Sequence, residues 1–181
     1  MDKAQFWRLI EDAKAKSGGD CEEQAQALAQ RLKQLPLEEI VEFDKSFREG
    51  IITVYRWDLW GAAYLINGGA SDDGFEYFCR WLIAQGRVMF EAALADPDSL
   101  ADLLPGDIGW GDGGLDCEEI GYAAMEAHQE TAGRELDYSD FPRHPSEPVG
   151  VKWTEENLDA LFPKICAKIA RIDEDEKLDR P

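Results

Sequence analysis

Asp58, Asp72, Asp73, Glu76 and Arg80 lie within 23 positions of one another and are of the types that carry acid–base chemistry. Carboxylates held together can act as general acid and base, with an arginine as charge partner. Asp58 falls between Trp57 and Trp60, in a stretch whose pattern reads as a largely buried helix. A buried carboxylate must be neutralised, paired or hydrogen-bonded, and Arg56, Arg80 and Arg87 are the available cations. The same residues have plainer readings. Asp73, Glu76, Arg80 and Arg87 recur at three- and seven-residue intervals, as an ion-pair ladder on one helix stripe does. Asp72 and Asp73 follow Ser71, and a serine cap with an acidic first turn is how many helices begin.

Other chemistries are poorly supported. The loop acids Asp107, Asp112 and Asp116 do not fit the spacing of a calcium loop, and neither His128 nor His144 belongs to an H-E-x-x-H pair. No metal and no cofactor is expected. There is no G-x-S-x-G elbow, Walker loop or dinucleotide fingerprint. A pairing of Cys117 with His128 through the fold stays open. Cys79 and Cys166 lie on apolar stripes and read as small core residues.

The elements that must position these groups are helical. Phe6, Leu9, Ile10 and Ala13 set a first amphipathic stripe, stopped by "SGGD" at 17–20, where Asp20 can cap a second. Ala25, Leu28, Ala29, Leu32 and Leu35 carry that second helix to Pro36. A third spans Leu37 to Ile66, although "GIITVY" within it has the composition of a short extended piece. Asn67-Gly68-Gly69 breaks it, Ser71 caps a fourth, and that helix continues through Phe78, Leu82 and Phe90 to "ADPDSL". Asp96 or Asp98 opens a short turn to Leu103.

A Gly/Asp-rich loop (104–116) leads to a helix opened by Asp116 and Glu119. A strap with three prolines fills 134–152. Thr154 caps a last helical region, which Pro163 either kinks or divides. The expectation is an all-α, single-domain irregular helical bundle over 1–170, with a disordered acidic tail at 171–181.

Net charge is −19 and the sequence pI about 4.4, which disfavours nucleic acid and anionic membrane surfaces and favours basic partners. No run approaches the roughly 18 apolar residues of a membrane span. The start lacks an uninterrupted apolar segment, and the four widely spaced cysteines read as free thiols, so the expected location is cytoplasmic.

"FWRLI", "DLWGAAYLINGGASDDGFEYF", "WLIAQGR" and "PDSLA" together resemble the bacterial domain-of-unknown-function family 4240. The resemblance covers roughly residues 1–135 and is most distinctive over 58–100. It implies no established activity; the joining of some members to other domains points toward partner binding. The family pattern usually places an arginine directly after the phenylalanine matched by Phe78. Here Cys79 holds that place and Arg80 follows, a rotation of about 100° around the helix.

Three functional readings result. The first is a non-catalytic binding protein for a basic protein. Residues 102–140 hold eleven acids against Arg134 alone, a net −10, interspersed with aromatics. Trp110, Glu118, Glu119, Glu126 and Glu130 are its candidate contacts, Trp110 as anchor and the glutamates as steering charges. An inhibitor of a nucleic-acid-processing protein is one concrete form. The second is an enzyme joining Asp58, Asp72 and Asp73 to Arg80. The third is a small-ligand sensor with a pocket lined by Trp57, Trp60, Tyr64, Phe75 and Trp81.

Overall fold

The computed structural model describes residues 1–104 and 114–178, and within them it is all-α. α1 (Lys3–Ser17) and α2 (Cys21–Leu32) form a hairpin whose turn follows from local chemistry. Gly18 takes the left-handed conformation at φ 62°, and the Asp20 side chain accepts the Glu23 N–H. Asp2 caps α1 in the same way through the Gln5 N–H.

Both long helices expected between 37 and 95 are divided, the first by a tertiary contact and the second at a glycine. The expected third helix becomes α3 (Leu37–Val54) and α4 (Trp57–Ile66). At the break, the Trp57 N–H donates to the Val149 carbonyl at 2.9 Å and the Val149 N–H donates to Tyr55 O at 3.0 Å. The strap thus takes backbone groups that a continuous helix would pair internally. This single Arg56–Val149 bridge is the only β pairing among the described residues.

The expected fourth helix becomes α5 (Asp72–Ala84) and α6 (Arg87–Ala95). Gly86 separates them at φ 93°, a conformation that side chains with a Cβ rarely adopt. α6 then starts with help from α1, since the Arg87 N–H donates to Glu11 Oε1 at 3.1 Å.

α5 is the central element. Phe75, Phe78, Leu82 and Ile83 are fully buried, and the helix meets α1, α2, α3, α4 and α6. A short 3-10 turn at 97–99 leads into α7 (Leu100–Leu103). Beyond the loop, a 3-10 segment (Glu119–Tyr122) runs into α8 (Ala123–Ala132), which packs its alanine face on α2 and α3. Asp116 does not cap this segment as expected; the chain enters it without a side-chain cap.

The strap lies against α3. Arg48 pairs with the buried Asp44 and sets its guanidinium 4.3 Å from the Tyr138 ring and 5.3 Å from Phe141. Thr154 opens a 3-10 turn with a reciprocal capping box to Asn157, followed by α9 (Leu158–Leu161). Pro163 begins a separate helix, α10 (Pro163–Leu178), which closes over α4 and α7. α10 takes in residues 171–178 of the expected disordered tail, and 179–181 lie outside the described residues.

Asp98 anchors α10. The residue is 7% exposed, and its carboxylate accepts the Lys164 N–H at 3.1 Å and the Ile165 N–H at 3.0 Å. A side chain 66 residues upstream therefore caps the last helix, which its own sequence leaves uncapped. No helix is long and apolar enough to cross a membrane among the described residues.

Candidate functional site

Asp58 is not buried as its flanking tryptophans suggested: its side chain is 40% exposed. The adjacent break lets Arg56 turn back onto it. Arg56 Nε donates to Asp58 Oδ1 at 3.0 Å, and Nη2 forms a second, short bond to Oδ2. The third guanidinium nitrogen, Nη1, donates to Leu94 O at 3.1 Å, joining the start of α4 to the end of α6. This bidentate pair rims an open groove of about 510 Å³ that Val149, Val151, Trp153, Leu161 and Phe162 also line.

Asp72 and Asp73 are exposed in the first turn of α5, and Ser71 Oγ accepts the Gly74 N–H at 3.1 Å. The helix-start geometry is therefore present. The two carboxylates bear on different neighbours. The Tyr55 phenol is pushed up by burial and then by the charges of Asp72, Cys79 and Glu76. The Tyr77 phenol is pushed up by burial, then by Glu118 and, further down, Asp73. The charge partner recorded for Asp58 is Arg56, and Arg80 belongs to another cluster. Arg87 starts α6 and pairs with Glu91, so the expected four-residue ladder on one helix ends at Arg80.

Arg80 is the hub of that other cluster, with a side chain 14% exposed. Nη2 bonds to Glu76 one turn back, and Nη1 donates to the Glu118 backbone carbonyl at 3.0 Å. Its guanidinium lies 5.5 Å from the Tyr77 ring and 5.4 Å from the Tyr122 ring, distances at which aromatic faces attract cations. Tyr122 in turn donates to Glu118 Oε1 at 2.6 Å. Gly121 leaves the guanidinium its room, because a Cβ there would stand 2.9 Å from Arg80 Nη1.

Backbone bonds hold the same segment down. The Cys117 N–H donates to Tyr77 O at 3.3 Å, and Asn67 exchanges two bonds with Leu115. Cys79, next to Arg80 on α5, is fully buried. Tyr77 is the member of this cluster that sequence periodicity left unmarked; its pairing with residue 118 has no local signature.

The four cysteines are not all free thiols. Cys21 and Cys117 are joined in a disulfide, their Cα atoms 5.5 Å apart, because α2 packs directly against the 119–122 segment. Cys79 and Cys166 are free. The bond gives Cys117 a partner other than His128, which is itself buried on α8 with Nδ1 unbonded. Glu119 Oε2 lies 3.3 Å from Cys21 Sγ. Cys21, Cys117 and Glu119 are also the group whose donor atoms, all within 4.8 Å of one another, could hold a metal ion among the described residues.

The aromatic candidates stack on one another. Trp57 and Trp60 lie 5.1 Å apart with rings 6° from parallel, and Trp60 and Phe75 lie 4.9 Å apart at 9°. The column continues through Phe78 to Trp81. These rings fill the contact between α4 and α5. Tyr64 stands apart, tilted onto Trp153 at 4.9 Å with its hydroxyl donating to Glu155.

The glutamates before and along α8 lie on the outside of the fold. Glu119, Glu126 and Glu130 are exposed, and Glu118 is half-buried by its bond to Tyr122. Glu130 pairs with Lys33 at 2.6 Å. The Asp116 carboxyl is held above its usual range by partial burial and by the neighbouring charges of Glu119 and Glu118. Trp110, Asp107 and Asp112 lie outside the described residues.

Comparison with curated proteins and with solved structures finds no match. The family model described as "Protein of unknown function (DUF4240)" matches residues 1–130, which take in α1 to α7, the Arg80 cluster and most of α8. The chain belongs to this family.

Proposed function

We propose that this chain is a non-catalytic, cytoplasmic binding protein for a basic protein, docking through the acidic side built by residues 116–130. The observation that carries the reading is the clustering of Asp116, Glu118 and Glu119 on one segment: burial first, then the charges of Glu119 and Glu118, hold the Asp116 carboxyl above its usual range, and a cationic partner would offset those charges. Glu126 extends the same charge along α8, with Glu130 beyond it paired to Lys33, and Tyr122, 38% exposed, offers an aromatic contact beside it. Of the groups in the enzyme reading, Asp58 is paired with Arg56, and Arg80 is bound to Glu76. An inhibitor that presents acids in place of phosphates to a nucleic-acid-processing protein is one form such a binder takes.

Long-range steering of this kind is screened over about 8 Å at physiological salt, so association should slow steeply as salt rises. Replacing Glu118, Glu119, Glu126 and Glu130 together by Gln should lower the association rate more than it raises the dissociation rate. Trp110→Ala should act on dissociation instead, as loss of an anchor does. The test is retention of basic proteins by the wild type and by the four-Gln variant at low and high salt. Equal retention by both, or none by the wild type at low salt, overturns the reading.

A further inference from the structure

We propose that Cys21, Cys117 and Glu119, with the two sulfurs reduced, form a binding site for a thiophilic divalent cation of the zinc class. The donor set has the right chemistry: two thiolates select zinc over magnesium or calcium, and a carboxylate is a common companion ligand. The spacing is also right. A tetrahedral zinc with bonds of about 2.3 Å to sulfur and about 2.1 Å to oxygen holds those two donors roughly 3.6 Å apart. Glu119 Oε2 and Cys21 Sγ are 3.3 Å apart, and all three donor atoms lie within 4.8 Å.

Two thiolates on the same ion sit roughly 3.7 Å apart, which side-chain rotation reaches from Cα atoms 5.5 Å apart.

The site draws on separate elements that are each fixed. Cys21 is the first residue of α2, whose start is fixed by the Asp20 cap. Cys117 is held by its N–H bond to Tyr77 O, two residues past Leu115, which Asn67 ties to the end of α4. Three protein ligands leave a fourth position for water or for the neighbouring Asp116.

The disulfide and the cation exclude each other, since a bonded sulfur has no thiolate charge to donate. Reduction by a dithiol delivers two electrons and two protons to the S–S bond, giving two thiols as the reductant closes to its own disulfide. The cation then takes the place of the two protons. A reducing compartment would therefore favour the metal form and an oxidising one the crosslink.

The experiment is a Co2+ titration of the full chain after reduction and removal of the dithiol without air, in a Cys166→Ala background. The expected result is one Co2+ per chain with a thiolate-to-cobalt charge-transfer band that Zn2+ abolishes on displacement. The oxidised chain should show no band. Cys21→Ser and Cys117→Ser should each lose about half of its intensity, and Glu119→Gln should bind about tenfold more weakly or worse.

Far-ultraviolet circular dichroism, read in the same titration, separates ligand loss from unfolding. A reduced helical wild type without the band overturns the proposal, as does a reduced unfolded one that Co2+ fails to refold. So does a band that survives in the double Cys21→Ser/Cys117→Ser variant, or Glu119→Gln binding as tightly as wild type.

Discussion

Arg80 Nη1 donates to the backbone carbonyl of Glu118 at 3.0 Å, so the central helix grips a segment 38 residues away through one guanidinium. The same group bonds Glu76 and lies beside Tyr77 and Tyr122. Most of its side chain is out of water, so its interactions are screened little. Arg80→Ala should therefore destabilise the fold by about 2–3 kcal/mol, the scale of losing hydrogen bonds to a charged group. Gly121→Ala tests the same contact from the other side. Its Cβ would press on the guanidinium, with an expected cost of about 1–3 kcal/mol. Chemical denaturation of both variants measures this, and a neutral Gly121→Ala would show that Arg80 can move aside.

Asp98 should matter more than an ordinary acidic residue near the surface. Its buried carboxylate accepts two N–H groups at the start of α10. Asp98→Ala leaves both donors without that partner and should cost about 1–2 kcal/mol, at the upper end of cap losses. Asp98→Asn keeps one acceptor oxygen and should cost less. Hydrogen exchange at Lys164 and Ile165 locates the effect: protection there should fall first.

Asp44 gives a pH dependence with a definite sign. Burial raises its carboxyl above the ordinary range, and Arg48 offsets this only in part. The native state therefore binds this proton more tightly than the unfolded chain does. Stability from this group falls as pH rises from the unfolded value of 3.8 through the raised native one. Asp44→Asn should thus stabilise the protein at neutral pH, and the gain should shrink as pH drops through that window. Thermal melts of both forms across the acid range check it, and a gain that grows toward low pH would contradict the burial.

Ser71→Ala should cost about 1 kcal/mol, because Ser71 Oγ accepts the Gly74 N–H in the first turn of α5. Asp72→Asn should leave the helix in place and lower the Tyr55 phenol's titration toward its ordinary range, since one of the charges raising it is gone. Phenolate absorbance during alkaline titration reads this directly. An unmoved Tyr55 would mean that the Asp72 charge does not act on it.

Breaking the Cys21–Cys117 crosslink with a dithiol, in metal-free buffer, should lower unfolding free energy by about 2–5 kcal/mol. The bond closes a sequence separation of 96, and long closures restrict the unfolded chain most. Equal melting curves with and without reductant would show that the helices hold α2 to the 119–122 segment unaided.

Sequence by itself determined the features whose causes are local. Asp20, Ser71 and Thr154 start turns or helices, Gly18 ends one, and Pro163 interrupts the last helical region, because each acts on backbone groups within a few residues. The apolar period likewise marked Phe75, Phe78 and Leu82 as the face that becomes the centre of the core. Tertiary structure decided whatever depends on a partner distant along the chain. Val149 divides the helix at Tyr55–Arg56, and Glu11 helps to start α6 beyond Gly86. Asp98 caps a helix 66 residues later, and Arg80 reaches Glu118. Cys21 meets Cys117 and Glu119 only because α2 packs on the segment that carries them. Residue spacing encodes which side of a helix is apolar, but which helix covers that side depends on how all the faces pack together.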